Sequence, residues 1–222
     1  MFGVPPLMLA MVFVTCLTAG GCLLTWLQDR RRRPVLCIGI SSFLSGAAIV
    51  TRAALPFEIG VVVTDPMLLV SFSLIWTAFR TLRGRPPEPS VLVLLPLLWV
   101  GLCFSPVFRA HMELRIGLGL MLGLIPVSLA AQEIWGLSRA SAFIRVPLLA
   151  VMVFQMALMA RRAVRSLIWP QFDAAPMAQV PGFNVLLFDL LGLMTILSFS
   201  IISLVRDEEL RRAGAGIAPT KP

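Results

Sequence analysis

Long runs of apolar residues, separated by short polar stretches, extend along almost the whole chain. An α-helix needs about 20 residues to cross the hydrocarbon core of a membrane, and each run comes close to that length. The pattern therefore predicts an all-α polytopic membrane protein, a bundle of seven transmembrane helices. The predicted spans cover residues 4–27, 35–55, 66–82, 91–107, 114–135, 142–163 and 183–205.

The boundaries between the runs come from prolines and polar residues, which interrupt or end helices. The stretch 56–64 predicts a short loop before a span that begins at Pro66. The longer segment 166–182 is too polar and too rich in proline to span. Pro96 and Pro147 fall inside predicted spans and predict kinks.

Arginines at the ends of the runs predict the orientation, because Lys and Arg accumulate in cytoplasmic loops. The block 30–33 follows span one, and Arg80, Arg83 and Arg85 follow span three. Most of the 19 Lys and Arg residues then lie on one side. We expect a bacterial inner-membrane protein with the N-terminus outside and a short cytoplasmic tail at 206–222. The first run has no basic segment before it and is predicted to be a span rather than a cleaved signal peptide.

Composition agrees with this class and removes several others. Hydrophobic residues make up 58% of the 222 residues, the mean hydropathy is +0.91, and 14% are charged, values outside the range of soluble domains. The net charge of +8 does not indicate nucleic-acid binding, because the basic residues flank the spans. Four cysteines inside apolar runs and one histidine predict neither a disulfide framework nor a metal site. We expect no cofactor and no enzymatic activity, and the single lysine, Lys221, is in the tail and excludes retinal.

Ionisable residues inside spans are costly in hydrocarbon and usually pair or line a cavity. Asp189 is six residues into span seven, about 9 Å along a helix. Other charged residues lie at a similar depth on the outer side. The candidate ligand-binding residues are Arg52, Asp65, Arg115, Arg161 and Asp189.

Two interpretations of these residues stay open. In one, they line an outward-facing polar pocket in which Arg161 or Arg52 opposes Asp189. In the other, a buried Asp and Arg neutralise each other, while Arg52 and Arg115 extend to lipid headgroups.

Small residues predict close helix contacts. Gly119 and Gly123 are four apart in span five, a spacing that favours a tight helix contact or arises by chance in an apolar helix. Span two also carries such residues, and they are Ser41, Ser42, Ser45 and Gly46.

Four stretches carry a resemblance to a known family. They are the Arg-rich first inner loop, the segment 76–86 (WTAFRTLRGRP), the segment 132–135 (QEIW), and the exit of the last span at 204–212 (LVRDEELRR). Together they resemble the seven-span N-terminal sensor region found ahead of GGDEF diguanylate cyclase domains in proteobacteria. The resemblance covers residues 1–212.

The resemblance implies a sensory input module whose last span continues as a signalling helix. The implied output residues are Arg206, Asp207, Glu208, Glu209, Arg211 and Arg212. No GGDEF-like sequence is present, so cyclase activity does not carry over, and either a separate partner supplies the output or the chain is a truncated relic. We expect the lipid bilayer, a cytoplasmic or membrane signalling protein and a homodimer as partners. A small transporter or channel and a membrane scaffold subunit are the alternatives.

Overall fold

Seven α-helices form the regular structure of the described residues between 6 and 168. The computed structural model describes residues 6–30, 32–55, 57–137 and 142–168, and single positions between 196 and 206. The helices are α1 (Pro6–Gln28), α2 (Arg33–Ala54), α3 (Phe57–Leu82), α4 (Pro89–Cys103), α5 (Pro106–Ala110), α6 (Met112–Trp135) and α7 (Ala142–Ile168). Five of them, α1, α2, α3, α6 and α7, are long and apolar enough to cross a membrane. The predicted all-helical membrane class is thus confirmed for this part of the chain, whereas most of the predicted span seven lies outside it.

The predicted loop at 56–64 is wrong, because α3 already begins at Phe57. This helix continues without a break through Asp65 and Pro66 to Leu82. The sequence predicted that the span begins at Pro66, directly after the polar Asp65. Its carboxylate is instead paired with Arg52 inside the bundle, and a neutralised pair can lie within a membrane helix.

The fourth predicted span, 91–107, is divided in the structure. Helix α4 ends at Cys103, and Ser105 has an extended backbone with ψ of 128° directly before Pro106, where α5 starts. A residue that precedes proline is disfavoured in the helical conformation, which accounts for the break. At the other end of the described chain, α7 continues to Ile168, beyond the predicted limit of 163.

Four successive packing contacts arrange the long helices in the order α1, α2, α3, α6 and α7, with α4 beside α3. Helices α3 and α6 run in the same direction. Asp65 of α3 interacts with Arg115 near the start of α6, while Glu133 near the end of α6 binds arginines that follow α3. We call these two ends of the bundle the Asp65 end and the Glu133 end. Helices α4 and α5 return the chain from the Glu133 end to the Asp65 end.

Glycines of α2 let α1 approach closely. A Cβ atom added at Gly39 would lie 2.8 Å from Cys22 Cβ, and one added at Gly46 would collide with the side chain of Thr15. Lipid chains are as apolar as the helix surfaces, so helices in a membrane associate through close packing and polar contacts rather than hydrophobic burial. The expected role of Gly46 in close packing is confirmed.

Serines join α2 to α3 on its other side. Ser71 Oγ lies 2.8 Å from Ser41 Oγ and 2.7 Å from Ser45 Oγ, and it also donates to the Ser41 carbonyl at 3.0 Å. All three serines are fully buried. The small polar residues of span two therefore form a hydrogen-bonded seam at the centre of the bundle.

A core of large side chains fills the space between α3, α6 and α7. Its principal members are Trp76, Phe79, Ile134, Leu148 and Met152. Helix α1 lies at the edge, and its outer face exposes large apolar side chains, as expected of a surface that contacts lipid. They include Leu9, Phe13, Leu17 and Leu24.

Candidate functional site

Arg52 and Asp65 form an ion pair between α2 and α3. Arg52 Nη1 lies 2.6 Å from Asp65 Oδ1, and both side chains are mostly buried, with 13% and 14% of their surface exposed. The same Nη1 lies 3.4 Å from the hydroxyl of Thr64, which itself donates to the Gly60 carbonyl at 2.7 Å. Such a short charge-assisted bond is among the stronger polar contacts in proteins. It holds the last turn of α2 against α3.

Arg115 brings a second guanidinium to the same carboxylate. It lies in the first turn of α6, is 6% exposed, and interacts electrostatically with Asp65. Its Nε atom is buried without a hydrogen-bond partner among the described residues. Glu113, the nearest acid to Arg115 in the sequence of α6, is two residues away, and residues two apart on a helix do not share a face. Its carboxylate lies 3.5 Å from His111 Nδ1.

Together, Arg52, Asp65 and Arg115 form what we call the Asp65 cluster. Within the described part of the chain it holds two guanidinium groups and one carboxylate, and Arg52 makes a further interaction besides its pair with Asp65. An isolated charge in an apolar interior costs several kcal/mol unless it is paired. Arg115, whose buried Nε lacks a hydrogen-bond partner among the described residues, is the member of the cluster with which a further anion can pair.

Trp99 and Gly119 form one wall of the Asp65 cluster. Trp99 is completely buried and packs edge-to-face on Phe108, with ring centroids 5.3 Å apart. A Cβ atom at Gly119 would lie 3.1 Å from the Trp99 ring and 3.5 Å from Asp65 Oδ2. The indole Nε1 of Trp99 is buried and makes no hydrogen bond to the described residues. The glycine thus leaves room for both the ring and the carboxylate beside α6.

The other predicted site residues are placed differently. Gly123 faces Met159 and Phe72 rather than the partners of Gly119, so the two glycines serve two separate contacts. Arg161 has an exposed side chain on α7 and is not part of the buried cluster. Asp189 lies outside the described residues.

The predicted output residues lie almost entirely beyond the described part. Arg206 is a single described position, helical and exposed. The remaining output residues, which are Asp207, Glu208, Glu209, Arg211 and Arg212, lie outside it.

A second charged cluster occupies the opposite end of α3 and α6. The Glu133 carboxylate, 6% exposed, lies 2.7 Å from Arg83 Nη1, 3.2 Å from Arg85 Nη1 and 3.7 Å from Arg80 Nη1. Arg80 also pairs with Glu88 at 3.0 Å. We call this set, with Glu133 at its centre, the Glu133 cluster.

Sequence reasoning used these arginines only as evidence for orientation and did not assign them to a site. The sequence did contain a signal for this cluster. Glu133 lies in the last turn of an apolar span, and that end of the span was predicted to lie at the same membrane surface as the arginines that follow span three. Its partners are 48 and 50 positions away in sequence. Gly136 also contributes, because a Cβ atom there would collide with the Arg83 guanidinium.

The two clusters are separated by most of the thickness of a membrane. At 1.5 Å per residue, Asp65 and Arg80 are about 22 Å apart along α3, and Arg115 and Glu133 about 27 Å apart along α6. The hydrocarbon core of a bilayer is about 30 Å thick. The parallel pair α3 and α6 therefore links two charged sites near opposite membrane surfaces.

The described residues contain no group of three His, Cys, Asp or Glu side chains placed to hold a metal ion. The ionisable groups that the two clusters bring together are guanidinium groups and carboxylates. Comparison with protein-family models, with curated proteins and with solved structures finds no match to this chain.

Proposed function

We propose that this protein is a membrane-embedded sensory input module that binds a small anion at the Asp65 cluster. The observation that carries the proposal is the buried Arg115, whose Nε has no hydrogen-bond partner among the described residues. Asp65 can neutralise one guanidinium, and its shortest contact is with Arg52. Arg115 then needs a second anion, which a carboxylate or phosphate ligand would supply.

The proposal includes seven spans in the bacterial inner membrane, with the N-terminus outside and the C-terminus in the cytoplasm. The distribution of arginines supports this orientation, because Arg33, Arg80, Arg83 and Arg85 all lie at the Glu133 end. The positive-inside bias would place that end in the cytoplasm. The Asp65 cluster would then be reached from outside.

Signal transfer in this proposal depends on the last predicted span. Asp189, expected at a depth similar to Arg115, lies on this span. A ligand shifts a conformational equilibrium only by its difference in affinity between the two states. Binding of an anion to Arg115 in only one of the two states would supply such a difference, and span seven would carry it to the output residues at 206–212 and a separate partner.

Ligand binding can be tested on the full chain in lipid nanodiscs. Thermal unfolding is followed with acetate, succinate, glutamate, phosphate or sulfate added in turn at constant ionic strength. A ligand at 100 times its dissociation constant adds about 2.7 kcal/mol of stability. We expect one class of anion to raise the melting temperature, and Arg115→Gln to abolish the rise.

Arg165→Gln is the matched control. Arg165 is exposed in the last turn of α7, and this end of α7 lies near Gly117, two residues after Arg115 in the sequence. The variant should keep the full response. Equal responses in both variants, or none in the wild type, would refute the anion site. Uptake of the stabilising anion into proteoliposomes would instead favour a transporter, and a bundle that binds no anion but copurifies with other membrane proteins would favour a scaffold.

A further inference from the structure

The geometry of the Glu133 cluster points to a second site: we propose that it binds the phosphate headgroup of an anionic phospholipid. This inference does not depend on the proposed sensory function, because the site lies at the other end of α3 and α6. It rests on charge balance, on unused hydrogen-bond donors and on exposed apolar side chains at the same end of the bundle.

Among the described residues the charge balance leaves one guanidinium in excess, because Glu133 and Glu88 are the two carboxylates within ion-pair distance of the three arginines. Arg80 is the most committed of the three, since its Nε donates to the Pro86 carbonyl at 2.7 Å and its guanidinium lies 5.3 Å from the centre of the Trp76 ring.

Arg83 and Arg85 keep donors for a further anion. Each makes one hydrogen bond to Glu133, through Nη1, whereas a guanidinium has five N–H groups. Their side chains are 25% and 51% exposed, so the remaining donors can be reached from the membrane surface. The planar guanidinium fork matches the oxygen atoms of a phosphate group.

Glu133 and Gly136 hold the arginines in place and do not themselves bind the phosphate. The buried carboxylate draws together arginines that would otherwise repel each other, and Gly136 leaves space for the Arg83 guanidinium. Both belong to the end of α6, so the donors are held by a helix rather than by a loop alone. A preorganised cluster loses less side-chain entropy when it binds an anion.

Exposed apolar side chains at the same end of the bundle favour a lipid over free phosphate. Trp135, in the last turn of α6, is 75% exposed, and Val93 and Leu94 in the first part of α4 are 49% and 61% exposed. Tryptophan at this position is typical of the level of the headgroups. Acyl chains can therefore lie against α4 while the phosphate meets Arg83 and Arg85.

The test measures the lipids that the full-length protein retains after purification in mild detergent, by native mass spectrometry. Phosphatidylglycerol is compared with phosphatidylcholine, added in equal amounts. We expect the wild type to retain phosphatidylglycerol preferentially. Each guanidinium near anionic lipid is worth about a fivefold change in binding, so R83Q/R85Q should lower retention by about tenfold or more.

R33Q/R145Q removes the same charge at the same end of the bundle without touching the cluster, and it should keep most of the lipid. Equal losses of bound phosphatidylglycerol in the two double variants would show that general surface charge causes the effect, and would overturn the proposal. So would equal retention of both lipids by the wild type.

A measurement on the wild type keeps the proposal testable if R83Q/R85Q does not fold. Photoactivatable phosphatidylglycerol should crosslink to peptides that contain residues 83–94, and excess phosphatidylglycerol should suppress the crosslink. Labelling confined to other helices would overturn the site. Suppression by inorganic phosphate at the same concentration would identify a free-phosphate site and exclude the lipid.

Discussion

The Asp65 cluster predicts an unequal response to the loss of its three charges. In Asp65→Asn, two buried guanidinium groups lose the carboxylate that faces them. Removal of one partner from a buried ion pair typically costs about 3–5 kcal/mol, because a charge is left uncompensated. We expect this variant to lose the most stability.

The two arginines should differ from each other. Arg52→Gln removes the 2.6 Å bond but leaves Arg115 to balance Asp65, so we expect a loss of about 1.5–3 kcal/mol, typical of a hydrogen bond to a charged group. Arg115→Gln removes a guanidinium whose buried Nε has no hydrogen-bond partner among the described residues. Its free energy of unfolding should therefore stay within about 1 kcal/mol of the wild type, since deleting an uncompensated charge also removes its desolvation cost.

The assay is equilibrium unfolding of the three variants and the wild type in one detergent, without added carboxylate or phosphate, followed by circular dichroism. The order of stability carries the argument: Asp65→Asn lowest, Arg52→Gln next, Arg115→Gln close to the wild type. If Arg115→Gln proves as unstable as Asp65→Asn, Arg115 already has a permanent counter-charge. The reasoning that assigns an anion site to the cluster would then fail.

Three further predictions concern contacts between the helices. Ser71→Ala should lower the free energy of unfolding by about 1–2 kcal/mol, because it removes a buried hydrogen-bonding centre. Ser128→Ala, whose hydroxyl bonds only within its own helix, should change the free energy little, and equal effects of the two variants would contradict the role of the serine hydrogen bonds. Gly46→Ala should destabilise the protein by about 1–3 kcal/mol through overpacking. Adding Thr15→Ala should restore part of that loss. If the stability losses of the two single variants simply add in the double variant, the contact between Gly46 and Thr15 is not the cause. Glu133→Gln should lower the free energy of unfolding by about 1–3 kcal/mol at low salt. The loss should be smaller at high salt, because the arginine partners are partly exposed and salt screens their charge. A loss that does not change with salt would indicate packing rather than charge as the cause.

Much of the fold could be predicted because it depends on local composition. The run that became α6 was placed within two residues of its start, since an apolar stretch bounded by polar residues has only one good environment in a membrane. The start of α3 was misplaced because Asp65 has a partner in α2, which no local window contains. The break between α4 and α5 was missed although the Ser105–Pro106 pair marks it.

The candidate site could be predicted only in part. Arg52, Asp65 and Arg115 were selected by depth, which follows from position along each span, and the structure brings these three together. Arg161 has a comparable depth but an exposed side chain, because rotation about the helix axis determines whether a residue faces the bundle. The Glu133 cluster needed a pairing between α6 and the exit of α3 that depth alone does not specify.

By itself, the sequence determined a helical, membrane-embedded chain with its arginines concentrated at one end. Those properties follow from the transfer of each segment from water to lipid, which depends on the residues of that segment. Only the tertiary structure decided which charges meet, with Asp65 between two arginines and Glu133 between three. The physical reason is that the lipid-facing and bundle-facing sides of a membrane helix are both apolar, so hydrophobic periodicity does not reveal its rotation, and the polar contacts appear only when the helices are packed.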